Sequence, residues 1–584
     1  MWTVRRKGLG LVLGMRGARK PLAFIEDAAV PVEHLPEYIE GVLDICRENG
    51  TDAVAYAHAS VGVLHVRPIL DLRQPEDLLR FKNISEATFR LVKQFGGSWS
   101  GEHGDGLSRS YYLERFFGSK VYGLLREVKR LFDPENLLNP GKIVDAPPID
   151  RHLRYDPNYR ETPPPTHYHY RQDGSFAAAV HLCSGVGECR KLQGGTMCPS
   201  FRATRQEEHS TRGRANLLRL AMAGRLPGGL THPRLHEALD LCLSCKACKS
   251  ECPSNVDMAK LKGEVWQLRY ESRGIPLRDR LVGASPALAR TLCGPLAPVA
   301  NALQRSAPFR LAQERLLGLH RRRSLPPYAR RSFVDWFARR PRPDFEPQGQ
   351  VVLFADTYLN YHEPHIGRAA VRLLEACGFE VLVADVGCCQ RPRLSHGFLH
   401  QAKKDGTRTA QALDTYLQQE LPVLVCEPSC ASALNDDLPD LLDDAELARR
   451  LQLGVKPLEA FLLQAFDEGL LPSLPPLTRP RWHLHGHCHQ KALFGTEPMR
   501  KLLEAAGAES VREIPSGCCG MAGSFGYERE HFDLSVKIGE EVLLPAVRAL
   551  PEEEGLVACG FSCRHQIADL AGRRALHWVE CFAP

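Results

Sequence analysis

Apolar and polar positions change their rhythm several times along this chain. Residues 1–145 mix short apolar runs with helical periodicity and close in the turn-rich stretches Phe132-Asp133-Pro134 and Asn139-Pro140-Gly141-Lys142. Residues 146–178, rich in Pro, Tyr, Arg and His, read as a linker. A mainly helical pattern follows, divided into a domain at 179–270 with two cysteine runs on its loops and a helical basic linker at 271–345. The pattern then becomes strand–helix–strand–helix–strand, once over 346–465 and again over 478–584. The first copy predicts strands at 351–355, 381–384 and 423–426, with helices near 366–377 and 396–420. The second predicts strands at 482–484, 510–514 and 556–559, with helices at 497–506 and 528–548. Strands alternating with helices predict parallel units. The expected fold class is multidomain, α+β and α/β.

Composition changes this picture little. The 584 residues are 43% hydrophobic and 25% charged, ordinary for a globular protein, and the net charge of +6 is too mild to imply nucleic acid. Residues 301–345 are more basic, with eleven arginines against Glu314, Asp335 and Asp344; they read as a solvated helical linker or as a dock for an anionic surface or partner. Arg5, Arg6 and Lys7 before the short apolar run 8–14 imitate a signal peptide, but no cleavage site follows. No stretch approaches the 18 or so apolar residues of a membrane span. The expected place is cytoplasmic, or peripheral at the inner face of the membrane.

The cysteines change the picture most. There are twenty, and only Cys46, Cys293, Cys377 and Cys581 stand outside a recurring or clustered pattern. Cys242-x2-Cys245-x2-Cys248-x3-Cys252, followed by Pro253, is the spacing that grips an iron–sulfur cube, with the fourth thiolate serving a second cluster. A second run stands upstream at Cys183, Cys189 and Cys198, the last before Pro199. A zinc ribbon would want two pairs some fifteen residues apart, and disulfides a secreted chain. The pattern points to single-electron transfer.

The repeats carry thiols too. Cys388-Cys389-Gln390 in copy one matches Cys518-Cys519-Gly520 in copy two, and Cys426-x3-Cys430 matches Cys559-x3-Cys563. All lie at or just after strand ends, where open α/β sheets place ligands. Adjacent cysteines do not easily share one ion and suit a larger cluster or a redox pair. Copy two also has a leading Cys488, flanked by His485, His487 and His489 as candidate supporting ligands; copy one has Asp356-Thr357-Tyr358 in that place. Copy two is therefore expected to be the better cofactor site. In the first region, His58 and His65 flank a small apolar segment, and Glu102 and His103 lie in Ser100-Gly101-Glu102-His103-Gly104-Asp105-Gly106. Imidazoles with a carboxylate suit a divalent ion such as zinc, with an open position for a substrate oxygen.

Residues 21–143 resemble the C-terminal part of the FAD-linked oxidases of glycolate, D-lactate and D-2-hydroxyglutarate. The resemblance rests on Ile25-Glu26-Asp27-Ala28-Ala29-Val30-Pro31, His58 through His65, Gly101-Glu102-His103-Gly104 and Phe132 through Lys142. It implies that His58, His65 and Glu102 bind a divalent metal, that His103 is the catalytic acid/base, and that Asn139 touches a flavin. Gly62-Val63-Leu64-His65 lacks the asparagine often found in that family, Arg67 lies just beyond, and Arg5 stands near where a substrate-carboxylate arginine is expected. The family's FAD-binding domain is expected to be absent from this chain, and to be supplied by another polypeptide or lost through a truncated gene.

The second region resembles the dicluster ferredoxin domain of succinate dehydrogenase iron–sulfur subunits. That implies one [4Fe–4S] cluster on Cys198, Cys242, Cys245 and Cys248, and a second on Cys183, Cys189 and Cys252. The second set is one thiolate short, so His181, Glu188, water or a [3Fe–4S] centre completes it. Ser210-Thr211-Arg212-Gly213-Arg214-Ala215-Asn216 recurs in such oxidoreductases and brings arginines to a cluster or to a surface helix. The repeats resemble the cysteine-rich domains of heterodisulfide reductase B subunits and anaerobic glycerol-3-phosphate dehydrogenase subunits, which implies a further cluster on Cys488, Cys518, Cys519, Cys559 and Cys563.

Together these resemblances imply an iron–sulfur flavoprotein that oxidises a D-2-hydroxy acid to the 2-oxo acid. Its partners would be an FAD domain or subunit, the small acid, and a quinone- or cytochrome-type acceptor, membrane-bound or soluble. The alternatives are a non-catalytic electron-transfer subunit and a thiol redox enzyme working at the cysteine-rich repeats.

Overall fold

The computed structural model describes residues 8, 10, 12–341, 344–471 and 473–583, so Arg5 lies outside the described residues. The chain forms two compact units that divide between Glu161 and Thr162, inside the 146–178 segment.

The first unit is built on an antiparallel sheet. Strands β1 (Lys20–Pro21), β2 (Ala28–Ala29) and β3 (Ala53–His58) all pair with β4 (Val63–Leu70). Leu64, Val66 and Leu70 of β4 turn into a core with Val42 of the helix Leu35–Glu48 and Phe81, Ile84 and Phe89 of the helix Pro75–Gln94. A tight turn joins β3 to β4. Gly62 closes it at φ 69, where a Cβ would sit 1.9 Å from the Val30 carbonyl oxygen, so only glycine fits. The pairing sets Tyr56 opposite His65 and His58 opposite Val63. Side chains alternate along strands, so this register puts His58, Tyr56, His65 and Arg67 on one face.

In the second unit the two repeats form two all-parallel sheets. Copy one orders β6 (Phe379–Ala384), β5 (Gly349–Phe354), β7 (Val423–Val425) and β8 (Val455–Pro457); copy two orders β10 (Ser510–Glu513), β9 (Arg481–His485) and β11 (Gly555–Ala558). β8 was not foreseen, since Val-Lys-Pro carries little strand signal. Val351, Leu353, Leu424, Trp482, Leu484 and Val557 share one buried core, so the repeats fold against each other.

The dicluster region packs onto both repeats. Tyr168 and Tyr170 are buried, the His167 and Tyr168 N–H groups donate to Glu264, and Arg171 donates to the Pro439 carbonyl. The later half of the expected linker is therefore folded structure, because its aromatic residues find a core. The basic segment is likewise docked in part. Arg323 is buried, donating to the Gly526 carbonyl and the Ser535 hydroxyl, and Arg340 pairs with Glu375 at 2.6 Å. No helix among the described residues is long and apolar enough to cross a membrane.

Candidate metal and redox sites

In the first unit the hairpin delivers two imidazoles and the 100–104 loop delivers the rest. Asp27 organises that loop. Its carboxylate accepts the Ser100 hydroxyl and the N–H groups of Gly101, Glu102 and His103. Burial works to raise the Asp27 carboxyl, but these donors outweigh it and hold it below the usual carboxylate range. Arg109 is buried behind the loop and donates to the carbonyls of Glu26 and Gly104. The result brings the four expected residues together. Glu102 Oε1 lies 3.2 Å from His58 Nε2, 3.2 Å from His65 Nε2 and 3.5 Å from His103 Nε2. Donors around a tetrahedral ion with bonds near 2.05 Å stand about 3.3 Å apart, so the two 3.2 Å separations suit one ion between His58, His65 and Glu102. His65 is buried, which lowers its pKa and favours the neutral form that ligates. His103 turns Nδ1 toward Glu26 Oε1 at 3.5 Å, and Glu26 in turn pairs with Arg67 at 2.8 Å. Sequence reasoning gave no role to Glu26, Asp27 or Arg109; the one signal was the Glu26-Asp27 pair within the matching stretch. Asn139 stands apart on an exposed turn at φ 49.

In the second unit Cys198, Cys242, Cys245 and Cys248 line one small cavity together with Met197 and Arg214. Burial first, and neighbouring thiols after it, push Cys245 well up, while Cys248 is pushed well up by burial and then by Asp257. Several thiolates gathered here would need more countercharge than one arginine gives, which iron would supply. Arg214 is fully buried and forms no ion pair with a carboxylate among the described residues. It donates to Cys198 Sγ at 3.4 Å, to the Ala238 carbonyl at 2.7 Å and to the Ser200 hydroxyl at 2.8 Å. An unpaired buried cation costs several kcal/mol, so this cavity is built for an anionic group. The surface-helix alternative for this arginine therefore fails.

Cys183 and Cys189 lie nearby. Burial raises Cys189 to about 11, and the Arg212 N–H donates to its Sγ at 3.3 Å. Ser184 meets Ser254 at 3.1 Å, which brings the Cys183 loop beside that of Cys252. Glu188 is drawn to Lys191 at 3.3 Å. Arg212 differs from Arg214, because Glu207 neutralises it at 2.7 Å.

The repeats place their thiols unequally. In copy two, the neighbouring Cys518 lowers Cys488 to about 7 against the opposing effect of burial. Cys518 first, then Cys563 and His485, hold Cys519 well below the usual thiol range despite its burial. Cys559 stands apart: its Sγ is 3.4 Å from Met499 Sδ, in the core shared by the repeats. In copy one Cys389 and Cys430 approach to 3.0 Å, and Thr357 takes the position of Cys488, with Asp356 as the helix cap. Gln390 adopts φ 68 where copy two has Gly520 at φ 91.

One polar seam joins the three thiol regions. The buried Lys246 ammonium, between Cys245 and Cys248, meets Asp437 at 2.7 Å, and Asp437 pairs with Arg391 beside Cys389 at 2.5 Å. His489 donates from Nε2 to the Ser244 carbonyl at 3.0 Å and accepts at Nδ1 from Ser432 at 2.6 Å. Both ring nitrogens are spent, so His489 is a clamp and not a ligand. His487 caps the Cys488 helix, accepting the His489 N–H at 3.2 Å. Cys245 and Cys488 thus flank the Ser244–His489 bond that crosses this seam, and the charge of Cys488 acts on Cys245.

Comparison with known proteins fits this arrangement. Family models match residues 1–143 (FAD linked oxidases, C-terminal domain), 179–256 (4Fe-4S dicluster domain) and 483–567 (cysteine-rich domain). The chain carries these three domains. It is 28% identical to D-2-hydroxyglutarate dehydrogenase of Escherichia coli K12 over 99% of this chain and 60% of that protein. It is 27% identical to a subunit of anaerobic glycerol-3-phosphate dehydrogenase of the same strain, over 54% of this chain and 78% of that subunit. A D-lactate dehydrogenase of Archaeoglobus fulgidus is 34% identical over 22% of this chain and 28% of its own. The chain thus spans about 60% of the length of the D-2-hydroxyglutarate dehydrogenase it matches.

Proposed function

We propose that this chain is the substrate-side and electron-transfer part of an FAD-dependent oxidoreductase that converts a D-2-hydroxy acid, foremost D-2-hydroxyglutarate, to its 2-oxo acid. The observation that carries this reading is the convergence of the Nε2 atoms of His58, His65 and His103 on Glu102 Oε1, at 3.2, 3.2 and 3.5 Å. The 28% identity to a D-2-hydroxyglutarate dehydrogenase across 99% of the chain supports the substrate class.

A bound flavin supplies the hydride acceptor and a divalent ion, zinc by its donor set, supplies the Lewis acid. His58, His65 and Glu102 would hold the ion. His103 keeps Nδ1 toward Glu26, which leaves Nε2 free to take the hydroxyl proton. Arg67 holds the Glu26 carboxylate and so the tautomer. Asn139 is a candidate flavin contact. Beyond a break at Gly118, Val121, Leu124, Val128 and Leu131 form an exposed apolar stripe at helical spacing on Leu113–Phe132, which supports a covering FAD domain or subunit. In the second unit, Cys198, Cys242, Cys245 and Cys248 would hold one [4Fe–4S] cluster, and Cys183, Cys189 and Cys252 the other. The bond from His489, next to Cys488, to the Ser244 carbonyl, next to Cys245, supports an exit toward copy two and a quinone- or cytochrome-type acceptor.

Rapid mixing with D-2-hydroxyglutarate, D-lactate or glycolate tests the reading on the full chain assembled with its FAD-bearing part. D-2-hydroxyglutarate is expected to bleach the flavin first and the brown iron–sulfur absorbance next. Bleaching by disulfide substrates alone would favour the thiol enzyme. The relative among glycerol-3-phosphate dehydrogenase subunits supports a second reading, an electron-transfer subunit, in which His103→Ala changes nothing.

Arg214 gives a separate expectation. Unneutralised positive charge beside a cluster raises its potential. Arg214→Met is expected to lower the potential of the Cys198 cluster in an EPR-monitored redox titration and to leave the Cys183 cluster unmoved. Equal shifts in both clusters would show a general loosening instead.

A further inference from the structure

Copy two holds a metal-binding set that differs from the one its cysteine pattern implies. His485 ends strand β9 and is fully buried. Its Nδ1 is 2.7 Å from the Ser516 hydroxyl, and its buried Nε2 makes no hydrogen bond of good geometry among the described residues. A ring nitrogen of His485, Cys519 Sγ and Cys563 Sγ all lie within 4.8 Å of one another. Cys518 adjoins Cys519 in the chain, and Cys488 lies near enough to Cys518 and Cys563 for their charges to interact, so two further thiols stand beside the trio. Cys559 is turned the other way, against Met499. Two thiols and one imidazole thus converge in a buried place with two further thiols beside them, and the imidazole offers an otherwise unused nitrogen.

We infer that copy two binds an iron–sulfur centre with His485 as a nitrogen ligand, alongside Cys519 and Cys563, with Cys518 and Cys488 completing it and Cys559 outside it. Five donors exceed what one tetrahedral ion takes, and the adjacent Cys518 and Cys519 are best used on two different irons. Ser516 positions the ring: its hydroxyl fixes Nδ1 and leaves Nε2 for the metal, as partners behind ligating histidines do. Copy one lacks the same site for two reasons. Thr357 stands where copy two has Cys488, and the buried Phe354 ends β5 where His485 ends β9. The centre would therefore form in copy two alone.

An imidazole in place of a thiolate removes negative charge from an iron and raises its potential. The centre would be an electron sink. It would take one electron from the reduced Cys198 cluster across the seam where His489, next to Cys488, bonds the Ser244 carbonyl, next to Cys245, with no bond made or broken.

This inference rests on the iron–sulfur reading of the chain, and its test keeps the two apart. The full chain is loaded anaerobically with iron and sulfide and reduced stepwise, and each paramagnetic centre is probed by pulsed EPR for directly bonded nitrogen. One centre is expected to show strong imidazole nitrogen coupling. His485→Cys, which keeps a donor, should retain that centre's iron and lose the coupling. Cys559→Ser should change neither. Loaded clusters without any nitrogen-coupled centre would overturn the assignment, as would coupling that survives His485→Cys, zinc in copy two, or loss of the centre in Cys559→Ser. Absence of every iron–sulfur signal would instead sink the broader reading with it. If His485→Cys fails to fold, labelling the wild-type histidines with 15N still decides, because the coupling must change isotope.

Discussion

His65→Ala is expected to abolish both metal retention and turnover, whereas His103→Ala should keep the metal and slow flavin reduction about 10²–10⁴-fold. The expectation follows from where the two rings are anchored. His65 is a buried strand residue whose Nε2 meets Glu102 at 3.2 Å, so removing it opens one side of the donor set and no solvent-facing group replaces it. His103 sits on a bent loop with its ring half exposed. Its other nitrogen is engaged by Glu26, which is how a base is oriented and not how a structural ligand is. Metal analysis of the two purified variants, with flavin reduction followed after rapid mixing, checks this. The 3.5 Å approach of His103 to Glu102 makes the rival outcome concrete. Equal metal loss in both variants would make His103 a ligand and leave the base unassigned.

Cys245→Ser should remove one EPR signal, cost roughly half of the seven or eight irons expected in the dicluster region, and leave the other cluster intact. Cys245 belongs to the cavity lined by Cys198, Cys242 and Cys248, whereas Cys189 lies with Cys183 and is held by the Arg212 amide. The effect on electron flow should be as large, because Cys245 adjoins Ser244, whose carbonyl accepts from His489 beside Cys488. Reduction of the remaining cluster should persist, and passage of electrons beyond it should stop. Loss of both signals would show that the two sites fold as one. Stoichiometric zinc and no brown absorbance would remove the iron–sulfur reading altogether.

The repeat was legible for a simple reason. Strands buried in a parallel sheet are near-continuous apolar runs, so β5, β6 and β11 stood out at 351–355, 381–384 and 556–559, while β9 was placed at 482–484 by the repeat. Cysteine spacing was legible as well, because a cluster needs several thiolates on one short loop and the chain can supply them only by local repetition. The 146–178 segment misled, since its prolines and tyrosines look like a tether until Tyr168 and Tyr170 are seen in a core.

By itself, then, the sequence determined which elements form and which residue types are gathered where. It determined that His58 and His65 are seven apart and that Cys559 and Cys563 are four apart, but not which way any of them faces. The pairing of Tyr56 with His65 turned both histidines to one face, and the Asp27 carboxylate folded Glu102 and His103 toward it. Packing between the two repeats turned Cys559 into the core and left Cys563 with His485. The burial of Arg214 without a carboxylate is written in no local pattern, since it depends on Ala238, Ser200 and Cys198 meeting around one guanidinium. Local propensity acts over a few residues, whereas direction, burial and countercharge are set by partners distant in the chain.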